Sequence, residues 1–264
     1  MAVVYLAIAL LGLAIGSFLN VVIYRVPRDI SLVRPASSCP DCNSPVKPRH
    51  NVPVLGWLIL RGRCHDCRLP ISARYPLIEA ATALLFVAVT AHFGVTPELP
   101  AYLYLAAVAI ALAAIDFDVR RLPDSIVLPS YVVGVLLLVP AVVLDSNWSA
   151  AVRGLLAMAA LFAVYFALWL SYPGGMGFGD VKLAGLIGLY LGFLGWGSVF
   201  VGTFVAFLLG AIVGIALLLA RRASRKSSVP FGPFMLAGAF LALFFAAQAT
   251  SWYAHLFSVT TQST

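Results

Sequence analysis

Long uninterrupted apolar stretches run through this chain and fix the solvent in which it can fold. They lie at roughly 2–23, 76–94, 100–115, 125–144, 151–171, 182–195, 197–220 and 232–250. A hydrocarbon core about 30 Å thick asks for some twenty apolar residues per helix. Of 264 residues, 62% are hydrophobic and 10% charged, against about 25% charged in ordinary soluble domains. A soluble protein of this composition could not cover its surface. The expected fold is all-α and polytopic, with about eight transmembrane helices. The sixth and seventh are the hardest pair to separate: Gly192, Gly195 and Gly197 mark a turn between them, and one long bent helix is the alternative. The first stretch lacks a charged n-region and a clear small-residue cleavage site, so it reads as a retained helix and not a signal peptide.

The distribution of charge orients the helices. The net charge is +7, which could suit nucleic acid, but no basic stripe with interleaved stacking aromatics is present. Nine Lys and Arg lie between Arg25 and Arg74; Arg120, Arg121, Lys182, Arg221, Arg222, Arg225 and Lys226 follow alternate spans. With eight spans these all fall on one side, and only Arg153 on the other. Positive charge marks the cytoplasmic side. The loops 24–75, 116–124, 172–181 and 221–231 are therefore expected in the cytoplasm, with both termini outside. The basic run at 221–226 could help set orientation or meet anionic membrane lipid.

The largest extramembrane piece, 24–75, is too short to bury much of a core and needs a staple. Cys39-Pro-Asp-Cys42 and Cys64-His-Asp-Cys67 supply one. Two C-x-x-C turns aim four thiolates at one point, as tetrahedral zinc requires, and a reducing cytoplasm disfavours disulfides. Four ligands leave no open position, so the metal reads as structural. His65 replacing one cysteine is the weaker alternative, and unoccupied or redox-active thiols the rival reading. No internal repeat stands out.

Acidic residues are scarce enough to weigh singly. Glu79, in the first turn of the second span, suits a helix cap or a pair with Arg74. Asp116, Asp118 and Asp124 share one expected cytoplasmic loop, and Asp180 follows Gly177-Phe178-Gly179 in another. Carboxylates at a membrane boundary are costly unless used or paired. Two close carboxyls share a proton; the ionised one can take a proton from water while the protonated one polarises a peptide carbonyl. Gly177 and Gly179 permit unusual backbone geometry and a close substrate approach to Asp180. Asp124, after Pro123, suits a helix N-cap, and Asp118 could pair with Arg120, Arg121 or Lys182. Spacing alone leaves Asp116 and Asp118 in competition.

These residues resemble those of the bacterial type IV prepilin peptidases (leader peptidase/N-methyltransferases), G-x-G-D membrane aspartyl proteases. The matching segments are Gly16–Arg25, the paired C-x-x-C with Asn51-Val52-Pro53 and Arg61-Gly62-Arg63-Cys64, Arg74–Glu79, Asp116–Asp124, Gly177–Leu183 and Pro230-Phe231-Gly232-Pro233-Phe234. They span nearly the whole chain in order. The resemblance implies catalytic aspartates at Asp116 and Asp180, the former selected by the pattern Asp-x-x-x-x-x-Leu-Pro-Asp. It implies an active-site loop with Gly177, Gly179 and Lys182, and zinc on Cys39, Cys42, Cys64 and Cys67. It further implies cleavage of prepilin or pseudopilin leaders after glycine at the cytoplasmic face of the bacterial inner membrane. Methylation of the new amino terminus from S-adenosylmethionine is implied too, although no Rossmann-type glycine motif is present. The expected division is a first helix 1–23, a zinc loop 24–75 associated with methyl transfer, and a seven-helix peptidase core 76–264. Rival readings are a cleavage-only G-x-G-D protease, a transporter with acids near the midplane, and a thiol oxidoreductase with accessible low-pKa thiols and no metal.

Overall fold

Among the described residues eight long helices form where the apolar stretches lie. A computed structural model describes residues 1–172, 175–220 and 230–261, with side chains of the last helix described through Gln248 and at Ser251. Gly174 and the basic cluster Arg221, Arg222, Arg225 and Lys226 lie outside the described residues. In chain order the helices are α1 (Ala2–Arg25), the short α2 (Leu55–Ile59), α3 (Arg74–Phe93), α4 (Leu99–Val119), α5 (Asp124–Leu144), α6 (Trp148–Ser171), α7 (Phe178–Leu194), α8 (Trp196–Leu219) and α9 (Gly232–Thr261). Among the described residues no strand forms, and six helices (α1, α3, α4, α5, α6 and α8) are long and apolar enough to cross a membrane. The other two long helices are shorter in this respect: α7 has 17 residues, and the apolar part of α9 runs Gly232–Gln248. The chain is a polytopic helical membrane protein. It divides into two compact units, Met1–Ile115 and Asp116–Thr264.

In the first unit α1 packs on α3 through a small-residue seam. A Cβ on Gly12 would lie 2.6 Å from Ala83 Cα, and one on Gly16 2.7 Å from Glu79 Cα. Two glycines four apart let helix backbones touch, which is how helices associate where lipid removes the hydrophobic drive. Asn20 Nδ2 adds a hydrogen bond to the Tyr75 carbonyl at 3.1 Å. Glu79 corrects the expectation of a cap or an Arg74 pair. It sits beyond the first turn of α3, is buried, and accepts the Val54 N–H at 2.7 Å. Its carboxylate thus pins the cysteine-bearing segment to α3. Trp57 pins the same segment internally, its Nε1 donating to the Ile71 carbonyl at 3.0 Å.

That segment holds a repeat which the sequence reading missed. Ser38 bridges Pro45, and Arg63 bridges Pro70, each pair enclosing one C-x-x-C. In each, the cysteine N–H donates five residues ahead (Cys39 to Ser44, Cys64 to Leu69), and the residue after the second cysteine turns back with positive φ (Asn43, 56°; Arg68, 64°). The two knuckles are offset by 25 residues and share the pattern C-x-D-C-x-x-P. The signal was legible, but seven residues are short enough to pass as two unrelated turns.

In the second unit α7 is the central helix, buried over most of its length. Its glycines allow this. A Cβ on Gly188 would lie 2.5 Å from the Ala157 carbonyl oxygen, and one on Gly192 2.9 Å from that of Arg153, so α6 lies directly against α7. α8 and α9 meet in the same way at Gly202 and Gly238. The chain breaks between α7 and α8 at Gly195, with φ 157° and ψ 160°, a conformation open to glycine alone. This decides between two helices and one bent helix. Arg153, the one basic residue expected on the outer side, serves this break. Its Nε and Nη2 donate to the carbonyls of Gly192 and Phe193 at 2.7 and 2.8 Å. A cation there satisfies orphan carbonyls and opposes the negative end of the α7 dipole.

Candidate active site and metal centre

Two helix ends were expected to be loops, and the difference matters. α4 runs on to Val119, so Asp116 stands in its last turn; α7 begins at Phe178, so Asp180 stands in its first. Only residues 120–123 separate α4 from α5. Helical backbone on both sides gives each carboxylate a fixed direction that a loop would not.

Asp116 is 5% exposed. Its Oδ2 accepts the N–H of Gly232, the first residue of α9, at 3.1 Å. A carboxylate at a helix N-terminus satisfies an orphan donor and meets the positive end of the dipole. Gly232 is needed there: a Cβ would lie 2.8 Å from Asp116 Oδ2. Asp180 is 8% exposed. Its Oδ2 accepts the Gly177 N–H at 3.1 Å, while its own N–H donates to the Gly177 carbonyl at 3.0 Å. Gly177 is the N-cap of α7, with φ −75° and ψ 147°.

Leu122 joins the two halves. A Cβ on Gly232 would lie 3.4 Å from Leu122 Cδ2, and one on Gly179 would lie 3.0 Å from Leu122 Cβ. The glycines beside both carboxylates therefore pack on one leucine. Tyr165 is fully buried on α6. Sequence reasoning gave no role to Leu122, Tyr165 or Gly232. Only the quoted Pro-Phe-Gly-Pro-Phe turn pointed towards the last.

The other acids of this region fall away from the pair. Asp118 and Asp124 are exposed. Asp124 is the first residue of α5 and makes no capping hydrogen bond, contrary to the expected N-cap. Both its oxygens instead accept from Lys182 Nζ, at 2.7 and 2.8 Å.

The four cysteines converge. Cys39 and Cys67 Sγ are 3.8 Å apart, Cys42 and Cys64 Sγ 3.9 Å, and all four sulfurs lie within 4.8 Å of one another. A regular tetrahedron with metal–sulfur bonds of about 2.3 Å has edges of about 3.8 Å. The donor set thus fits a four-thiolate metal site and is too wide for disulfides. The Cys42 thiol is pulled down to about 6, first by a hydrogen bond from the Ser44 side chain and then by its backbone. His65 stands outside the ligand set: its Nδ1 contacts Asp66 Oδ1 at 2.8 Å and its ring stacks on His50. The His65 hydrogen bond is the main reason the Asp66 carboxyl lies below its ordinary range.

Comparison with known proteins agrees with this geometry. Residues 10–93 match the bacterial peptidase A24 N-terminal domain, and residues 103–215 the type IV leader peptidase family. A prepilin leader peptidase/N-methyltransferase of Aeromonas hydrophila is 38% identical over 92% of this chain and 91% of its own length. Those of Pseudomonas aeruginosa and Legionella pneumophila are 34% and 32% identical, the latter over 94% of both chains. No solved structure matches. The chain belongs to the type IV leader peptidase family.

Proposed function

We propose that this protein is an aspartyl endopeptidase that removes the leader of a prepilin or pseudopilin, with Asp116 and Asp180 as its catalytic pair. The observation that carries the reading is the pair itself: two buried carboxylates, each held by one backbone N–H at a helix N-terminus, with the glycines beside them, Gly232 and Gly179, both packed on Leu122. One carboxylate takes a proton from the attacking water, and the other, protonated, polarises the scissile carbonyl. The names of the relatives support the substrate class.

The pair lies at the end of α4 and the start of α7, which suits a substrate whose scissile bond sits at a membrane face. An ion-coupled transporter would call for acids near the midplane. The charge bias favours a cytoplasmic site in a bacterial inner membrane, with both termini outside. We assign 24–75 as a zinc-stapled loop between the first helix 1–23 and a peptidase core 76–264. The sulfur tetrahedron supports zinc over a harder metal. The relatives' names also support methylation of the new amino terminus from S-adenosylmethionine. The all-helical described chain offers no strand–turn–helix nucleotide cradle, so no residue is assigned to that cofactor and no step is derived through it.

The test is a cleavage assay in detergent or liposomes with a prepilin carrying a Gly-Phe junction, beside Asp116→Asn and Asp180→Asn variants. The wild type should give the shortened product and folded variants none. Cleavage retained in Asp180→Asn would remove that residue from the mechanism.

A further inference from the structure

Lys182 lies two residues beyond Asp180, and α5 holds it at two points. Its ammonium donates to both oxygens of Asp124, the first residue of α5. Its backbone carbonyl accepts from the hydroxyl of Tyr131, two turns further along α5. The second tie needs Gly185, where any Cβ would overlap the Tyr131 hydroxyl. The ammonium also reaches back over the Phe178 ring, 5.0 Å from its centroid. Its attachments therefore flank Asp180 on both sides in sequence.

The Lys182 side chain is 19% exposed and that of Asp124 57%. A half-solvated pair of this kind adds little to global stability, so its value is geometric. Asp116 and Asp124 belong to one short stretch of chain. Its first end is held at the α9 N-terminus by the Gly232 N–H, and its far end is the ion pair to α7. One carboxylate is thus fixed to the segment that the pair anchors, and the other to the helix turn that the pair grips.

We infer that Asp124 and Lys182 form a positioning pair that sets the separation of Asp116 and Asp180. This rests on the catalytic reading above. Positioning acts on the rate of the chemical step more than on binding, because a misplacement of about 1 Å can cost about a hundredfold in rate.

The experiment is steady-state cleavage by the full-length protein in liposomes, with kcat expressed per folded molecule. The variants are Lys182→Gln, Asp124→Asn and Lys182→Arg. The two neutral variants should each lose about ten- to a hundredfold in kcat with KM unchanged. Lys182→Arg, which keeps the pair, should recover most of it. Unchanged kcat in both neutral variants overturns the inference. So does a raised KM at constant kcat, which would put Lys182 on the substrate, and so does a folded Lys182→Arg as impaired as Lys182→Gln. Failure of the functional reading looks different: the wild type itself leaves the substrate intact, or Asp180→Asn matches it, and the inference falls as well.

Discussion

Gly232→Ala tests the site at the point where the structure leaves least room. The new Cβ would lie 2.8 Å from Asp116 Oδ2, where ordinary contact begins near 3.4 Å, so the carboxylate must retreat by about 0.6 Å. Leu122 Cδ2, at 3.4 Å from the same Cβ, is already at ordinary contact, so the carboxylate is the group that must give. That retreat, directed away from the new Cβ, stretches the 3.1 Å bond to the Gly232 nitrogen towards the limit of hydrogen-bonding range and bends it. Losing a hydrogen bond to a charged group costs about 1.5–3 kcal/mol, and misplacing a reacting group by a sizeable fraction of an ångström costs up to about a hundredfold. Both routes lead to a fall in kcat/KM of about ten- to a hundredfold. The assay is prepilin cleavage in liposomes, with folding checked by circular dichroism and size-exclusion chromatography. Gly214→Ala, on α8, is the control. Its Cβ would meet nothing within 4 Å, so kcat/KM should stay within about twofold, the size of an uncrowded substitution. Wild-type kcat/KM in Gly232→Ala, or equal losses at both glycines, would refute the reasoning.

Three further outcomes are expected. The protein should carry about one zinc per chain, retained at neutral pH and lost on acidification or in Cys42→Ser, because thiolate ligands must stay deprotonated; metal analysis finding none in reduced protein would remove the site. Arg153→Gln should lower stability by about 0.3–2 kcal/mol in thermal unfolding, through loss of the cation at the α7 C-terminus, with kcat per folded molecule unchanged; an unshifted transition would count against the cap. Cys39 should resist an impermeant thiol reagent in intact cells and react in permeabilised, metal-stripped ones; labelling in intact cells would reverse the orientation.

Much of this was legible in the linear chain, for a physical reason. In lipid each spanning segment must satisfy its own backbone, so span and composition are local properties and eight helices can be counted without knowing their neighbours. C-x-x-C is local too: each turn aims its own two sulfurs, and two such turns suffice to anticipate the site that the 3.8 and 3.9 Å separations describe. Asp116 and Asp180 were named from motif and place along the chain.

What the sequence left open was decided by packing between distant residues. Asp116 differs from Asp118 by burial against Gly232, more than a hundred residues away. Asp124 reads as a helix cap until Lys182 arrives from α7, and Glu79 as a partner of Arg74 until Val54 turns back onto it. Arg153 looked like the one exception to the charge bias until Gly192 and Phe193 offered it their carbonyls. A side chain's type sets what it can bond. Which partner it bonds depends on helices meeting across the bilayer, and at Gly188, Gly192 and Gly232 that meeting depends on a missing Cβ whose importance appears only when the opposing backbone is in place.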